Sequence, residues 1–198
     1  MTLNQTEAAP AIEMLDVIRG RRSATRYGDG PVPREVIEQI VEAARWAPNH
    51  HLTEPWRFVV LAGDARAALG EAIAAEFLHD TSNAKAAAEA TGVRTKVMRS
   101  PVIIAVGQVR TSPDSEKDLE DYAACACATQ NLLLAAHAAG LTAKWSTGTM
   151  TVSPAAKQFL GLAPDDRIVG YVYLGSAVEE APVSRRRPAE EVTRWLGW

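Results

Sequence analysis

The segment from Glu116 to Ala139 constrains the fold most, because it is a long helical pattern that is apolar around most of its circumference. Its apolar positions fall on more than one face of a helix: Ala123, Ala124, Cys127, Leu132, Leu134, Ala135 and Ala138. A helix with so little polar surface lies at the centre of a domain or at a subunit interface. We therefore predict a central or interfacial helix here.

Short apolar runs predict four strands. The run from Val102 to Val106 follows Pro101 without a polar break, which is typical of a strand buried on both faces. The other strands are predicted at 56–61, 141–146 and 168–174. Because strands and helices alternate without a regular βαβ repeat, the pattern favours an α+β layer structure over a doubly wound sheet.

Helical periodicity and capping signals predict the remaining helices. They lie at about 12–20, 33–48 and 64–78, within 81–99, and from Ser153-Pro154 to Gly161. Asp64 is a candidate cap for the third of them. The polar, alanine-rich segment 81–99 predicts a shorter helix with a mobile excursion. No internal repeat or low-complexity linker interrupts the chain, so we predict one domain over residues 1–198.

Charge and hydropathy exclude several classes of partner. The formal net charge is −3, so no general attraction to nucleic acid or anionic lipid is expected. No apolar run approaches the roughly 20 residues of a membrane span. Residues 1–10 lack the pattern of a signal peptide, and Cys125 and Cys127 point about 200° apart on a helix, so they cannot pair with each other. A cytoplasmic location is the expectation.

Familiar site motifs are missing from the sequence. It contains no G-x-G-x-x-G after a strand, no G-x-x-x-x-G-K-[ST] and no G-x-S-x-G. Its histidines do not show a metal-ligand spacing with acidic or thiol partners: His50, His51, His79 and His137. We therefore predict no metal site and name no nucleophile or general acid.

Two clusters of arginines are candidates for binding an anion. Arg21-Arg22-Ser23 follows the first predicted helix, and Arg185-Arg186-Arg187 precedes Pro188 in the tail. Guanidinium groups match phosphate oxygens in pairs, and a hydroxyl can complete the set. Two such clusters converging on one phosphate would neutralise its charge. Each cluster alone is more typical of solvated surface, and sequence spacing cannot show whether the two converge.

Five motifs in order resemble the nitroreductase family of FMN enzymes. They are Arg21-Arg22-Ser23, an A-P pair five residues before E-P-W-R-F, G-L-x-x-x-W-x-x-G from Gly140, G-x-x-x-L-G from Gly170, and R-x-R-P-x-E-E-V from Arg185. The similarity extends from Ile18 to Trp195 and is greatest to the small bacterial branch. It implies a nitroreductase-like α+β fold with a central mixed sheet of about four to five strands flanked by helices.

The resemblance also implies a set of cofactor-binding residues. The FMN phosphate and ribityl chain would be held by Arg21, Arg22 and Ser23. The flavin would be reached from the neighbouring subunit by Asn49 and His50. The isoalloxazine ring would lie against Trp145, Ser146, Thr147 and Gly148. Two cationic positions of the tail, Arg185 and Arg187, would approach the phosphate.

Some of these assignments have alternatives. His50 could serve only the structure of its loop, and Trp145 could be plain core. The chain departs from the family pattern at Thr25, where a basic residue is common. Lys96 or Arg26 could instead supply the cation near the pyrimidine edge of the ring.

The function implied is transfer of hydride from NADH or NADPH through FMN to a small nitroaromatic, quinone or similar electron-poor acceptor. The family similarity implies a homodimer with FMN at the interface and a C-terminal tail that reaches the partner, where Trp195 and Trp198 could be buried. Two alternatives are a specialised flavin enzyme, such as a reductive dehalogenase, and a flavin-binding protein without efficient turnover.

Overall fold

The computed structural model describes residues 14–78, 84–180 and 183–198. Its helices are α1 (Met14–Gly20), α2 (Arg34–Ala44), α3 (Asp64–Phe77), α4 (Ala84–Val97), α5 (Ser115–Ala138) and α6 (Pro154–Phe159). Its strands are β1 (Trp56–Ala62), β2 (Val102–Gln108), β3 (Leu141–Ser146) and β4 (Arg167–Ser176). The predicted α+β class and the four predicted strands are confirmed. The predicted start of the first helix and residues 79–83 lie outside the described residues.

The four strands form one sheet in the order β1-β2-β4-β3, and every neighbouring pair is antiparallel. The expected mixed sheet is therefore corrected to an antiparallel one, with parallel pairing in the described residues limited to a bridge between Ser23 and Ala143. The connection between β1 and β2 explains why these two strands are antiparallel. Two helices, α3 and α4, lie between the strands, and the second helix brings the chain back to the end of the sheet at which β1 ended. The strand β2 therefore runs in the opposite direction to β1.

Hydrophobic clusters lie on both faces of the sheet. On one face α2 and α5 pack against it, and the cluster includes Ile40, Ile104, Leu132 and Val172. On the other face α3, α4 and α6 cover it, with Leu69, Ile73, Val97, Ile103 and Tyr171. All seven residues of β2 are buried, which confirms the prediction of a strand covered on both faces.

The long helix α5 has one buried face and one exposed face. Cys125 is fully buried and burial raises the pKa of its thiol to about 12, whereas Cys127 is exposed. Two polar residues, Asp121 and Thr129, lie on the buried face, while the apolar Ala123 is exposed. The apolar residues of α5 therefore fall on two surfaces. One packs on the sheet, and the other is left uncovered by this chain.

Two predicted helix starts have different outcomes. Ser153 caps α6, since its hydroxyl accepts a hydrogen bond from the amide of Ala156 at 2.9 Å. The prediction for Asp64 is wrong, because Gly63 occupies the cap position with φ +54° and Asp64 is the first residue of α3. The charge of Asp64 still faces the positive end of the helix dipole.

In the described residues, no helix combines the length and the apolarity that crossing a membrane requires.

Candidate functional site

Arg21, directly after α1, is half-buried, and one nitrogen of its guanidinium is fully buried. Its Nη1 is a buried side-chain nitrogen without a hydrogen-bond partner among the described residues. Burial lowers the pKa of Arg21, and the charges of Arg22 and Arg186 lower it further. A buried donor without a partner is costly, so groups of this kind call for an explanation such as a bound ion. An anion at this position would supply the missing acceptor.

One residue of the second arginine cluster lies near the first. Arg186 is close enough to Arg21 for its charge to lower the pKa of that residue. Arg186 donates to Ser184 and to the carbonyl of Arg185, the latter at 3.0 Å. All three arginines of the tail cluster, Arg185, Arg186 and Arg187, are exposed. The motif assigned a cofactor role to Arg185 and Arg187 only, because Arg186 occupies the variable position between them.

Ser23 lies beside the edge strand of the sheet. It forms a parallel bridge with Ala143, which places the arginine segment along β3. Successive side chains of a strand point to opposite faces. Trp145 accordingly packs against the α5 side of the sheet and donates from Nε1 to the carbonyl of Val169 at 3.3 Å. Ser146 lines a crevice on the other side. The packing role that the sequence left open for Trp145 thus has a structural basis.

A cationic crevice of about 30 Å³ lies next to this edge. Its lining consists of Ala24, Thr25, Tyr27, Lys96, Arg99, Lys144, Ser146 and Tyr173, and so includes three cations. Burial lowers the pKa of Lys96, and the charges of Arg99 and Lys144 lower it further. Nζ of Lys96 lies 3.5 Å from the carbonyl of Thr147, which ties α4 to the predicted cofactor segment. No sequence motif had marked Arg99 or Lys144.

Arg26, the other candidate cation, lies elsewhere. It lines a groove of about 420 Å³ that is shared with Arg22 and Ser23. Its guanidinium is 3.8 Å from the carboxylate of Glu179, and both side chains are largely exposed. The positive charge beside Thr25 therefore comes from α4 and β3.

The backbone at Gly148 adopts a conformation available essentially only to glycine, with φ +103° and ψ −156°. Its carbonyl accepts hydrogen bonds from both the amide and the hydroxyl of Thr151, at 2.9 and 2.8 Å. These bonds hold the turn between β3 and the following short helix. The stretch predicted to face the ring thus has a fixed backbone.

The loop from Asn49 to Glu54 is organised by its own polar groups. The Asn49 amide nitrogen donates to the carbonyl of His50 at 3.2 Å and to the hydroxyl of Thr53 at 3.1 Å. Its carbonyl oxygen accepts from the amide of Glu54 at 2.7 Å. Both amide donors of Asn49 are therefore used within the loop, and the structural role of Asn49 is to hold the loop backbone in place.

His50 has an acidic partner that spacing along the chain did not reveal. Nδ1 of His50 lies 3.0 Å from Glu120 of α5, and its ring stacks on that of His51 with centroids 3.8 Å apart. Ligand atoms of His50, His51 and Glu120 all lie within 4.8 Å of one another, which is a geometry that could hold a metal ion. The contact between His50 and Glu120 is equally a direct contact of an imidazole with a carboxylate, which needs no metal ion. The spacing of the histidines along the chain showed no acidic partner for His50, and it is the fold that brings Glu120 to it.

Cavity volume alone would have pointed to a different place. A cavity of about 800 Å³ lies between α2 and β1, with Val41, Val60, Arg66 and Pro101 in its wall. Three of the predicted cofactor residues, Arg22, Ser23 and Ser146, line the smaller spaces along β3 instead. Charge and unpaired polar groups, rather than size, mark the candidate site.

Comparison with known proteins identifies the family. The family model described as "Nitroreductase family" matches residues 18–176. The chain belongs to the nitroreductase family. A relative in Escherichia coli (strain K12), named "Putative NAD(P)H nitroreductase YdjA", is 29% identical over 177 residues, covering 89% of this chain and 95% of that protein.

Solved structures of this nitroreductase family agree with the fold. A nitroreductase-like family protein from Bacillus cereus superposes with a TM-score of 0.85 at 26% identity, covering 96% of this chain and 100% of the other. A "putative nitroreductase in complex with fmn" from Desulfovibrio desulfuricans superposes with a TM-score of 0.73 at 30% identity, covering 95% and 99%. The nitroreductase fold implied by the sequence motifs is confirmed.

Proposed function

We propose that this protein is an FMN-dependent oxidoreductase that passes hydride from NADH or NADPH to small electron-poor acceptors. The observation that carries the proposal is the buried, unpartnered Nη1 of Arg21 beside the charges of Arg22 and Arg186. Relatives named as NAD(P)H nitroreductases and a related structure in complex with FMN support it. The proposal treats the chain as a single FMN-binding domain.

The residues along β3 fit the phosphate end of FMN. Arg21 offers a buried donor in need of an acceptor, and the neighbouring guanidiniums make that acceptor preferably anionic. Ser23 is exposed and can add a hydroxyl. Arg185 and Arg187 stay as predicted contacts, with Arg186 added. Binding a phosphate here would relieve both the unpaired donor and the repulsion among the cations.

The cations that line the crevice suit the redox end of a cofactor lying at its mouth, since a space of about 30 Å³ is too small for the ring itself. When bound, FMN supplies the atom that accepts and then donates the hydride. Lys96, Arg99 and Lys144 provide a positive potential toward negative charge that the cofactor gains on reduction. We assign most of this positive potential to Lys96, because the alternative cation, Arg26, already lies next to the carboxylate of Glu179. Ser146, Thr147 and Gly148 contribute a fixed edge that excludes water from one side.

An absorption spectrum of the purified protein tests this function. We expect flavin bands that bleach when NADH or NADPH is added without oxygen, and recovery of the bands when a nitroaromatic or a quinone is supplied. The more effective nucleotide would be the donor. Bands that persist with both nucleotides would instead indicate a flavin-binding protein. A colourless protein that cannot be reconstituted with FMN would refute the proposal.

A homodimer with FMN at the interface belongs to the same proposal, as does a cytoplasmic location. It is supported by apolar side chains that the single chain leaves exposed: Met14, Leu15, Ile18, Leu119, Trp195 and Trp198. Side chains of this kind, where they are gathered into one patch, are typical of an interaction site. The loop with Asn49 and His50 is fixed to α5, from which it would reach the partner's flavin.

Sedimentation velocity with detection of both protein and flavin tests the dimer. We expect flavin to travel only with the dimer, and dilution to release flavin as monomer appears. Leu119 is 65% exposed, so Leu119→Glu disturbs no packing within the chain and is a suitable variant to promote dissociation. A monomer that retains one FMN per chain would contradict the shared site.

A further inference from the structure

A buried carboxylate of α5 holds the loop at 49–54 through a chain of hydrogen bonds. Asp121 is only 3% exposed. Its Oδ1 accepts from the hydroxyl of Thr53 at 2.5 Å, and its Oδ2 accepts from the hydroxyl of Thr111 at 2.5 Å. Hydroxyl-to-carboxylate bonds of this length are charge-assisted and stronger than bonds between neutral groups. Asp121 is thus a buried anchor with two hydroxyl donors.

Thr53 connects Asp121 to Asn49 by hydrogen bonds. Because its hydroxyl proton is donated to Asp121, the oxygen of Thr53 is left to accept from the amide nitrogen of Asn49 at 3.1 Å. This fixes which way the Asn49 amide faces, and so aims its carbonyl oxygen at the amide of Glu54 at 2.7 Å. The adjacent residue of α5, Glu120, holds His50 at 3.0 Å. Two consecutive carboxylates of one helix therefore hold both loop residues.

The loop needs such support because its backbone is strained. His51, Leu52 and Glu54 have φ values of +60°, +53° and +44°, in the left-handed region that residues with a Cβ disfavour. Such conformations persist only where the surroundings determine them. His51 and Leu52 are exposed and gain little from packing, so the constraint must come from the polar contacts at either end.

We propose that Asp121 is a positioning residue, which fixes the Asn49–Glu54 loop through Thr53 and thereby sets how Asn49 and His50 are presented to the cofactor. Its role at the cofactor rests on the proposed function, whereas its role in the loop does not. Neither Asp121 nor Thr53 belongs to a motif that marks a function in the sequence.

A matched pair of variants distinguishes the relay, meaning the hydrogen bonds from Asp121 through Thr53 to Asn49, from a general contribution of Asp121 to stability. Thr53→Val and Thr111→Val each remove one hydroxyl from Asp121, but only Thr53 is connected to Asn49. Thr53→Ser retains the hydroxyl and serves as the rescue. Hydrogen exchange of the Glu54 amide in the apoprotein reports the loop directly, because its acceptor is Asn49 Oδ1. Titration of the same apoproteins with FMN reports the presentation to the cofactor.

We expect Thr53→Val to speed exchange at Glu54 by about tenfold or more, in line with the loss of a charge-assisted hydrogen bond, and to weaken FMN binding. Thr111→Val and Thr53→Ser should stay within about threefold of the wild type in both measurements, because neither removes the hydroxyl that joins Asp121 to Asn49. If Thr53→Val fails to fold, Asp121→Asn takes its place and should also speed the exchange.

Equal exchange rates in Thr53→Val and Thr111→Val would overturn the relay. Faster exchange with unchanged FMN affinity would overturn the role at the cofactor. If neither the wild type nor any variant bound FMN, the proposed function would fail, while the exchange rates would still decide whether Asp121 positions the loop.

Discussion

Arg21→Ala is expected to weaken FMN binding by about 1.5–3 kcal/mol, the range for a hydrogen bond to a charged group. This corresponds to an increase in Kd of roughly 10- to 150-fold. The physical reason is that the buried Nη1 has no acceptor among the described residues, so its bond is made only when an anion is present. Fluorescence titration of the apoprotein with FMN measures the change.

The stability of the apoprotein distinguishes this role from a structural one. Burial and the charges of Arg22 and Arg186 disfavour the charged form of Arg21, so its removal should leave the melting temperature of the apoprotein unchanged or raise it. Arg34→Ala is a suitable control, since Arg34 forms an exposed ion pair with Glu38 and should affect neither quantity appreciably. A lowered melting temperature with normal FMN affinity would assign Arg21 to the fold instead.

The sequence predicted the fold well where a local signal was sufficient. The unbroken apolar run at Val102 identified the central strand, and Ser153 before Pro154 identified the start of α6. It was less successful where two local signals compete. Asp64 is as good a cap by composition as Ser153, yet Gly63 takes that position with a positive φ. The direction of the strands could not be predicted, because it depends on how the connecting helices return the chain.

Within the site, the sequence succeeded where residues are adjacent in the chain and failed where the fold brings them together. The Arg21–Ser23 segment and the turn at Gly148 could be marked from motifs. Glu120, Asp121, Arg99 and Lys144 could not, because their significance depends on which face of α5, α4 or β3 meets the loop or the crevice. Trp145 shows the same limit, since its motif position does not reveal that the indole packs toward α5.

Gly148→Ala is expected to lower the free energy of unfolding by about 1–3 kcal/mol, the cost of holding a residue with a Cβ in a conformation available essentially only to glycine. The space around Gly148 is open, so steric contact does not contribute and the effect comes from φ +103° alone. Relief of the strain would turn the peptide between Thr147 and Gly148, and we expect FMN binding to weaken as well.

Gly92→Ala is the matched control for Gly148→Ala. Gly92 lies inside α4 with open space around it, so the added methyl should raise the free energy of unfolding by about 0.5–1 kcal/mol. Urea denaturation of both variants measures the two effects with opposite signs. Equal stability of Gly148→Ala and the wild type would show that the turn can relax without cost. FMN affinity would then decide whether Gly148 is needed for the cofactor rather than for the fold, because a relaxed turn that still bound FMN normally would remove it from the site.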